Sequence, residues 1–251
     1  MRLAYTRAAL RDRTMPLADD SPLCYALVPC AGIGARSGVG LPKQYALIAG
    51  RAMVAHTLAA LARVPRIAWT LVVLAPGDDR FESCVSDLAP GPWRAQRCGG
   101  ASRAASVGAG LAALAEGGAR DGDWVLVHDA ARCLIEPTWV ERLIDACVDD
   151  AVGGLLALPL ADTLKQEQGG RVAATLDRQG KWAAQTPQMF RLGMLRAALA
   201  AAGPDVTDEA SAIEAQGHAP LLVAGELANF KLTWPGDFAL AERLLSQEAR
   251  A

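Results

Sequence analysis

The sequence has no large excess of either charge. Its 25 basic residues against 27 acidic ones leave a formal charge of −2, without the basic field that holds polyanionic DNA or RNA. No nucleic-acid partner is expected, and any phosphate bound must be small and locally gripped. Long apolar runs are missing too. The stretch from Gly153 to Leu158, closed by Pro159, is far below the ~20 residues that cross a bilayer, so no membrane partner is expected. Residues Met1 to Ser21 carry Arg2, Arg7, Arg11 and Arg13 but no apolar block of roughly 7–15 residues ahead of a small-residue cleavage site. A secretory leader is therefore not expected. Residues 1–23 read as a disordered extension, or as sequence upstream of a start at Met15. The six cysteines form no CxxC pair and histidines number only three, which leaves no ligand set for structural zinc. Reduced, buried thiols and a cytoplasmic setting follow.

What is present is a globular composition, 52% apolar and 21% charged with 24 Gly and 14 Pro. From Cys24 onward, short Val- and Leu-rich runs alternate with helix-length segments, as in βαβ units built on a mainly parallel sheet. Strands are predicted at Tyr25 to Pro29, Trp69 to Leu74, Arg94 to Cys98, Trp124 to His128, Gly154 to Leu158, Leu221 to Val223 and Phe230 to Thr233. Helical spacing marks Ala52 to Ala62, through Val54, Leu58 and Leu61, and Ser102 to Ala115, through Val107, Leu111 and Leu114. Further helices are predicted at Pro137 to Cys147, Leu192 to Ala202, Asp208 to Gln216 and Asp237 to Gln247. Pro137 suits a first turn and Thr207 an N-cap. The expectation is an α/β fold, a mainly parallel twisted sheet flanked by helices, in a single domain over 24–251.

One stretch breaks the alternation. Between Pro159 and Lys181, two extended pieces, Leu160 to Lys165 and Arg171 to Leu176, flank the turn-like Glu167-Gln168-Gly169-Gly170 and read as a β-hairpin arm. An isolated hairpin is marginal in water, so a projecting one needs a partner, and a second copy of the chain is the simplest. A homodimer is expected.

Three constellations carry chemistry. The first predicted strand runs into Pro29-Cys30-Ala31-Gly32-Ile33-Gly34-Ala35-Arg36, where small residues let backbone N–H groups approach a phosphate. Ser37 breaks a GxGxxG fingerprint, and Gly40 is followed by Leu41-Pro42-Lys43, not the lysine of a phosphate loop. What remains is Gly32-x-Gly34-x-Arg36 followed by Lys43-Gln44-Tyr45: a polyphosphate grip or a solvated loop. Lysines number four (43, 165, 181, 231), so arginine is the default cation here and each lysine draws attention. The second constellation is Val127-His128-Asp129-Ala130-Ala131-Arg132. Asp129, at the end of an apolar strand, either holds Mg²⁺ beside substrate phosphates or caps the following turn. His128 reads as a packed strand residue and not as a base. The third is Gly99-Gly100-Ala101-Ser102-Arg103-Ala104-Ala105-Ser106, either a floor for a flat base at a helix N-terminus or a plain strand-to-helix turn.

Taken together with Thr207-Asp208-Glu209-Ala210-Ser211 and Lys231-x-Thr233, these blocks occur in an order that resembles the 2-C-methyl-D-erythritol 4-phosphate cytidylyltransferases of the non-mevalonate isoprenoid pathway. The resemblance spans about residues 24 to 247. It implies a Rossmann-like nucleotidyltransferase fold whose hairpin arm makes a homodimer. The implied reaction converts CTP and methylerythritol phosphate to CDP-methylerythritol and pyrophosphate with Mg²⁺. By motif, Arg36 and Lys43 are similar to the pair that stabilises the transition state on the α-phosphate. Cys30, Ala31, Gly32, Gly34, Gly100, Ser106 and Ala130 correspond to the CTP cradle, and Asp129 and Arg132 to the metal and sugar side. Thr163, Arg178, Thr186 and Lys231 are similar to the groups that receive methylerythritol phosphate. The chain departs at Cys30, where alanine is common, and at Cys133, where proline is common. Loss of proline's fixed φ at Cys133 would loosen the loop bearing Asp129.

That chemistry suits a site without an obvious general base. A phosphate monoester has its second pKa near ~6, so the nucleophile is already largely anionic at neutral pH. A cytidylyltransferase for another polyol phosphate, such as ribitol 5-phosphate, and a CTP-sensing module without turnover are the competing readings. The first shares the glycine and lysine blocks, and the second needs no combination of Arg36, Lys43 and Asp129.

Overall fold

The computed structural model describes residues 21–32, 42–202 and 206–248. Strands β1 (Cys24–Cys30), β4 (Ile67–Leu74), β5 (Trp93–Gln96), β6 (Trp124–Val127), β7 (Gly153–Pro159), β10 (Trp182–Arg191) and β11 (Leu221–Ala224) form a seven-stranded sheet in the order β11-β7-β10-β6-β1-β4-β5. The pairs β1–β4, β1–β6, β4–β5 and β7–β11 are parallel, while β10 runs antiparallel to both neighbours. The expected mainly parallel sheet is thus present. Two short strands, β2 (Leu47–Ile48) and β3 (Arg51–Ala52), pair separately.

The alternation of side chains along β1 builds two layers. Ala26, Val28 and Cys30 point to one face, where they meet Val54, Leu58 and Leu61 of α1 (Met53–Leu61) and Val140, Leu143 and Ile144 of α4 (Pro137–Cys147). Tyr25 and Leu27 point to the other face. There they meet Val107, Leu111 and Leu114 of α3 (Arg103–Glu116), Leu195 of α5 (Leu192–Ala201) and Ile213 of α6 (Glu209–Glu214). A short helix α2 (Phe81–Cys84) follows β4. The C-terminal helix α7 (Pro235–Glu248) covers a smaller cluster of Ile48, Met53, Cys133, Leu134, Leu232 and Ala241. Among the described residues no helix is long and apolar enough to cross a membrane.

The arm is a hairpin of β8 (Leu164–Gln168) and β9 (Arg171–Leu176), turned by Gly169 and Gly170 with φ of 60° and 76°. Both values lie in the left-handed region that a tight hairpin turn demands, which is why glycine occupies both positions. Most of the arm is exposed, including Val172 at 64% and Leu176 at 42%, with Trp182 at its base at 39%.

Three expectations change. Phe230 to Thr233 is no strand. Leu232 donates one backbone bond to Ala131 O at 2.8 Å, and the preceding Leu227–Asn229 segment is a 3₁₀ turn. The N-cap of α6 is Asp208, not Thr207: its carboxylate accepts from Ser211 N at 2.9 Å, and the Ser211 side chain returns a bond to the cap backbone. Strand β10 is unforeseen, since Pro187 within a polar run argues against a central strand. Pairing with β7 shifts register between Ala184 and Gln188, and that irregularity accommodates the proline.

Gly153 opens β7 at φ +107°, and a Cβ there would lie 2.2 Å from Met189 O. Gly153→Ala is expected to cost at least about 2 kcal/mol, read as a lowered urea midpoint.

Candidate active site

Parallel strands β1, β5 and β6 end at the same edge of the sheet, and the segments leaving them line a cleft of about 530 Å³. After β1 come Cys30, Ala31 and Gly32; after β6 come Asp129, Ala130 and Ala131; the turn into α3 supplies Gly100, Ser102, Arg103 and Ser106. Lys43, Gln44 and Lys231 also line it. Of the expected residues, Cys30, Ala31, Gly32, Lys43, Gly100, Ser106, Asp129, Ala130 and Lys231 therefore share one cleft. Gly34 and Arg36 lie outside the described residues.

Local chemistry explains each placement. Gln44 Nε2 donates to Cys30 O at 2.8 Å and fastens the Lys43–Tyr45 turn to the end of β1. At Gly99 a Cβ would sit 2.2 Å from Ala31 Cβ and 2.7 Å from Leu74 O, so only glycine lets the two strand-end turns meet. Ser102 caps α3 by accepting from Ala105 N at 3.0 Å. Ser106 Oγ accepts from Gly100 N at 3.1 Å and donates to Ser102 O at 2.8 Å, fixing the Gly99-Gly100 turn. Gly32 differs from Gly99: among the described residues, a Cβ on it would meet no atom within 4 Å.

Asp129 is the best-held group in the cleft. Its Oδ1 accepts from Arg103 Nε at 2.8 Å, and its Oδ2 lies 2.7 Å from Lys231 Nζ. Burial alone would push this carboxyl up, but the charges of Arg103 and Lys231 outweigh it and hold the group well below the usual carboxylate range. Arg103 also reaches Glu209, with Nη1 at 2.6 Å from one carboxylate oxygen and Nη2 at 3.1 Å from the other. Burial pushes the Glu209 carboxyl up against that attraction.

The loop beneath Asp129 is fixed from its polar side. Asp129 N donates to Thr186 Oγ1 at 3.0 Å, the Thr186 hydroxyl lies 3.1 Å from His128 Nδ1, and His128 Nε2 lies 3.2 Å from Arg132 O. The carbonyl can only accept, so Nε2 carries the proton and Nδ1 accepts from Thr186. Burial lowers the His128 pKa to about 4, in keeping with a packed strand residue. Arg132 donates to Asn229 O at 2.6 Å and Ala184 O at 3.2 Å, behind the cleft, and burial lowers its pKa. Cys133 packs in the small α7 cluster, and Arg132 N bonds Asp129 O at 2.9 Å, so packing and hydrogen bonds hold the loop where a proline ring is missing.

Thr163 and Arg178 are exposed on the arm and do not line the cleft of their own chain. Arg103 and Glu209 are the site residues that motif reading left without a role. Glu209 in particular reads from sequence as an acid suited to the first turn of a helix. No three His, Cys, Asp or Glu side chains converge as a metal cage among the described residues. One carboxylate beside substrate phosphates is an ordinary Mg²⁺ donor set. Each Asp129 oxygen holds one cation, Arg103 on Oδ1 and Lys231 on Oδ2, and keeps a second lone pair with which it could serve such a donor set.

A crossover sheet with glycine-bearing turns, backbone donors and cations at its carboxyl edge defines the class: an α/β nucleotidyltransferase. The chain belongs to the family of 2-C-methyl-D-erythritol 4-phosphate cytidylyltransferases (IspD), whose model matches residues 24–247. It is 60% identical over 231 residues to the bifunctional IspD/IspF enzyme of Albidiferax ferrireducens, covering 92% of this chain and 55% of that protein. It is 56% identical to the 2-C-methyl-D-erythritol 4-phosphate cytidylyltransferase of Paraburkholderia phytofirmans, covering 90% of this chain and 98% of that one. A crystal structure of a 4-diphosphocytidyl-2C-methyl-D-erythritol synthase superposes with a TM-score of 0.81 at 40% identity, over 90% of this chain and 99% of that one.

The depressed pKa of His128 makes a pH prediction. Between its unfolded value of 6.5 and about 4, the unfolded chain binds the proton that the folded chain refuses, so stability falls as pH drops through that window. The loss amounts to roughly 3 kcal/mol by pH 4. Chemical denaturation of His128→Gln should show a shallower decline over the same range.

Proposed function

We propose that this cleft transfers the cytidylyl group of CTP to 2-C-methyl-D-erythritol 4-phosphate, releasing pyrophosphate, in isoprenoid precursor biosynthesis. The observation that carries the reading is the convergence of Lys43, Lys231 and Arg103 with bare backbone at Gly32 and Gly100 in one cleft of a chain of this family. An oxygen of the acceptor phosphate attacks the α-phosphorus, and the bond from that phosphorus to the bridging oxygen breaks as pyrophosphate leaves. The acceptor arrives largely ionised, so the work is positioning and charge neutralisation.

Cys30, Ala31, Gly32, Gly100, Ser106 and Ala130 offer the CTP cradle, joined by Gly34 through its motif. Lys43, with Arg36 by its motif, meets the charge that builds on the α-phosphate. Lys231 receives the acceptor phosphate, while Thr186 and Arg132 shape the loop beneath it. Nucleotidyltransferases generally use a divalent metal, here Mg²⁺, which when bound neutralises charge on the phosphates beside Asp129.

The exposed apolar side chains of the arm, Val172, Leu176 and Trp182, support a homodimer built on it. Thr163 and Arg178 sit on that arm, so for them to meet the acceptor the arm of a second copy delivers them. Six cysteines without a CxxC pair support a cytoplasmic setting, and one seven-stranded sheet supports a single domain over 24–251.

Pyrophosphate release from CTP, with methylerythritol phosphate and ribitol 5-phosphate as alternative acceptors, tests the assignment. Turnover confined to ribitol 5-phosphate, or absent with both, would sink it. Lys43→Ala and Arg36→Ala are each expected to lower kcat on the order of 10²–10³-fold. Lys231→Ala and Arg178→Ala should chiefly raise the KM for methylerythritol phosphate. Deleting Gln166 to Arg171 should weaken dimerisation in sedimentation velocity, and an unchanged association constant would refute the role of the arm.

A further inference from the structure

Glu209 is 1% exposed and touches the cleft only through Arg103. Burying a carboxylate is costly even when it is paired, and apolar side chains fill such positions at least as well, so a buried ion pair is poorly explained by stability. The geometry is more telling. Arg103 is the first residue of α3, and its guanidinium is used on two edges at once. Nη1 and Nη2 form a fork with Glu209, at 2.6 and 3.1 Å, and Nε faces Asp129 at 2.8 Å. A planar guanidinium clamped by the fork has no freedom to rotate, so the direction of its Nε–H is set from the buried side.

Glu209 itself is held from behind. It follows the Asp208 cap, whose carboxylate accepts from Gln188 Nε2 at 2.8 Å, while Gln188 Oε1 accepts from Ala210 N at 2.7 Å. The start of α6 is thereby bolted to β10. On the far side, Asp129 holds Lys231 at 2.7 Å, and Leu232 N bonds Ala131 O at 2.8 Å, keeping the two loops in register. Charges of alternating sign thus run from the anchored α6 start to the rim of the cleft.

We propose that Glu209 and Arg103 are positioning residues of the transfer reaction: the buried carboxylate clamps the guanidinium that fixes Asp129 and, through it, Lys231. When Lys231 turns from Asp129 to an acceptor phosphate, Asp129 keeps Arg103 and stays in place, so the cleft does not collapse around an unpaired carboxylate. This rests on the cytidylyltransferase reading above.

Steady-state kinetics with CTP and methylerythritol phosphate on the full chain test it, in wild type, Glu209→Gln, Arg103→Lys and the double variant. The Gln amide presents a donor where the fork needs an acceptor, and lysine keeps the charge without the fork. Each single variant should lose about 10-fold or more in kcat/KM for methylerythritol phosphate, as misplaced positioning groups do. The double variant should lose no more than the worse single, because both break one bridge. Glu209→Asp, which keeps the charge at shorter reach, should recover part of the loss. Single variants within twofold of wild type, losses that multiply in the double, or a lowered melting temperature with unchanged kcat/KM would each overturn the proposal. If Glu209→Gln fails to fold by circular dichroism, Arg103→Lys decides alone, and wild-type kcat/KM for it would overturn the clamp. An inactive wild type would instead refute the proposed reaction.

Discussion

The Asp129 carboxylate, gripped by Arg103 on one oxygen and Lys231 on the other, is the interaction around which the cleft is organised. Desolvated and alone, a carboxylate there would be expelled or neutralised. Two cations make the ionised form the stable one, and in doing so they are themselves held at the cleft. The anion therefore keeps positive charge in place at the cleft. Three separate parts of the chain meet at this carboxylate: the start of α3, the end of β6 and the loop before α7. The cleft consequently exists only in the folded protein.

The sheet makes that meeting possible. Parallel strands from crossover units end at one edge, so the turns after β1 and β6, and the turn into α3, are delivered to the same place. Close approach of those turns demands residues without side chains, as the clash of any Cβ at Gly99 with Ala31 and Leu74 shows. Glycines at this edge then have distinct duties. Gly99 is bare because protein must come near, whereas Gly32 borders space that a ligand can enter.

Strand β10 shows a different economy. Its central antiparallel placement brings Thr186, Gln185 and Gln188 under the site, where they bond the Asp129 backbone, Asn229 and the start of α6 respectively. The polar side chains that disqualify the segment as a core strand in sequence are the ones that fasten the Asp129 loop to its neighbours. His128, neutral and buried, belongs to the same scaffold.

By itself, the sequence determined the alternation of β1, α1, β4, α3 and β6, the helix from Pro137 to Cys147, and the hairpin with its Gly169-Gly170 turn. Each is written in local periodicity or turn chemistry. It also singled out Lys43, Gly100, Asp129 and Lys231 through their motifs, and the cleft contains all four. Only the tertiary structure decided that β10 lies in mid-sheet, that Phe230 to Thr233 is a loop, and that Arg132 turns away to carbonyls behind the cleft. It likewise decided that Glu209 joins Arg103 across 106 positions of sequence. Periodicity reports which face of an element is buried, but it does not report which charged partner the fold will bring to that face. Ion pairs depend on distances of a few ångströms between residues far apart in the chain, and those distances are fixed only when the layers pack.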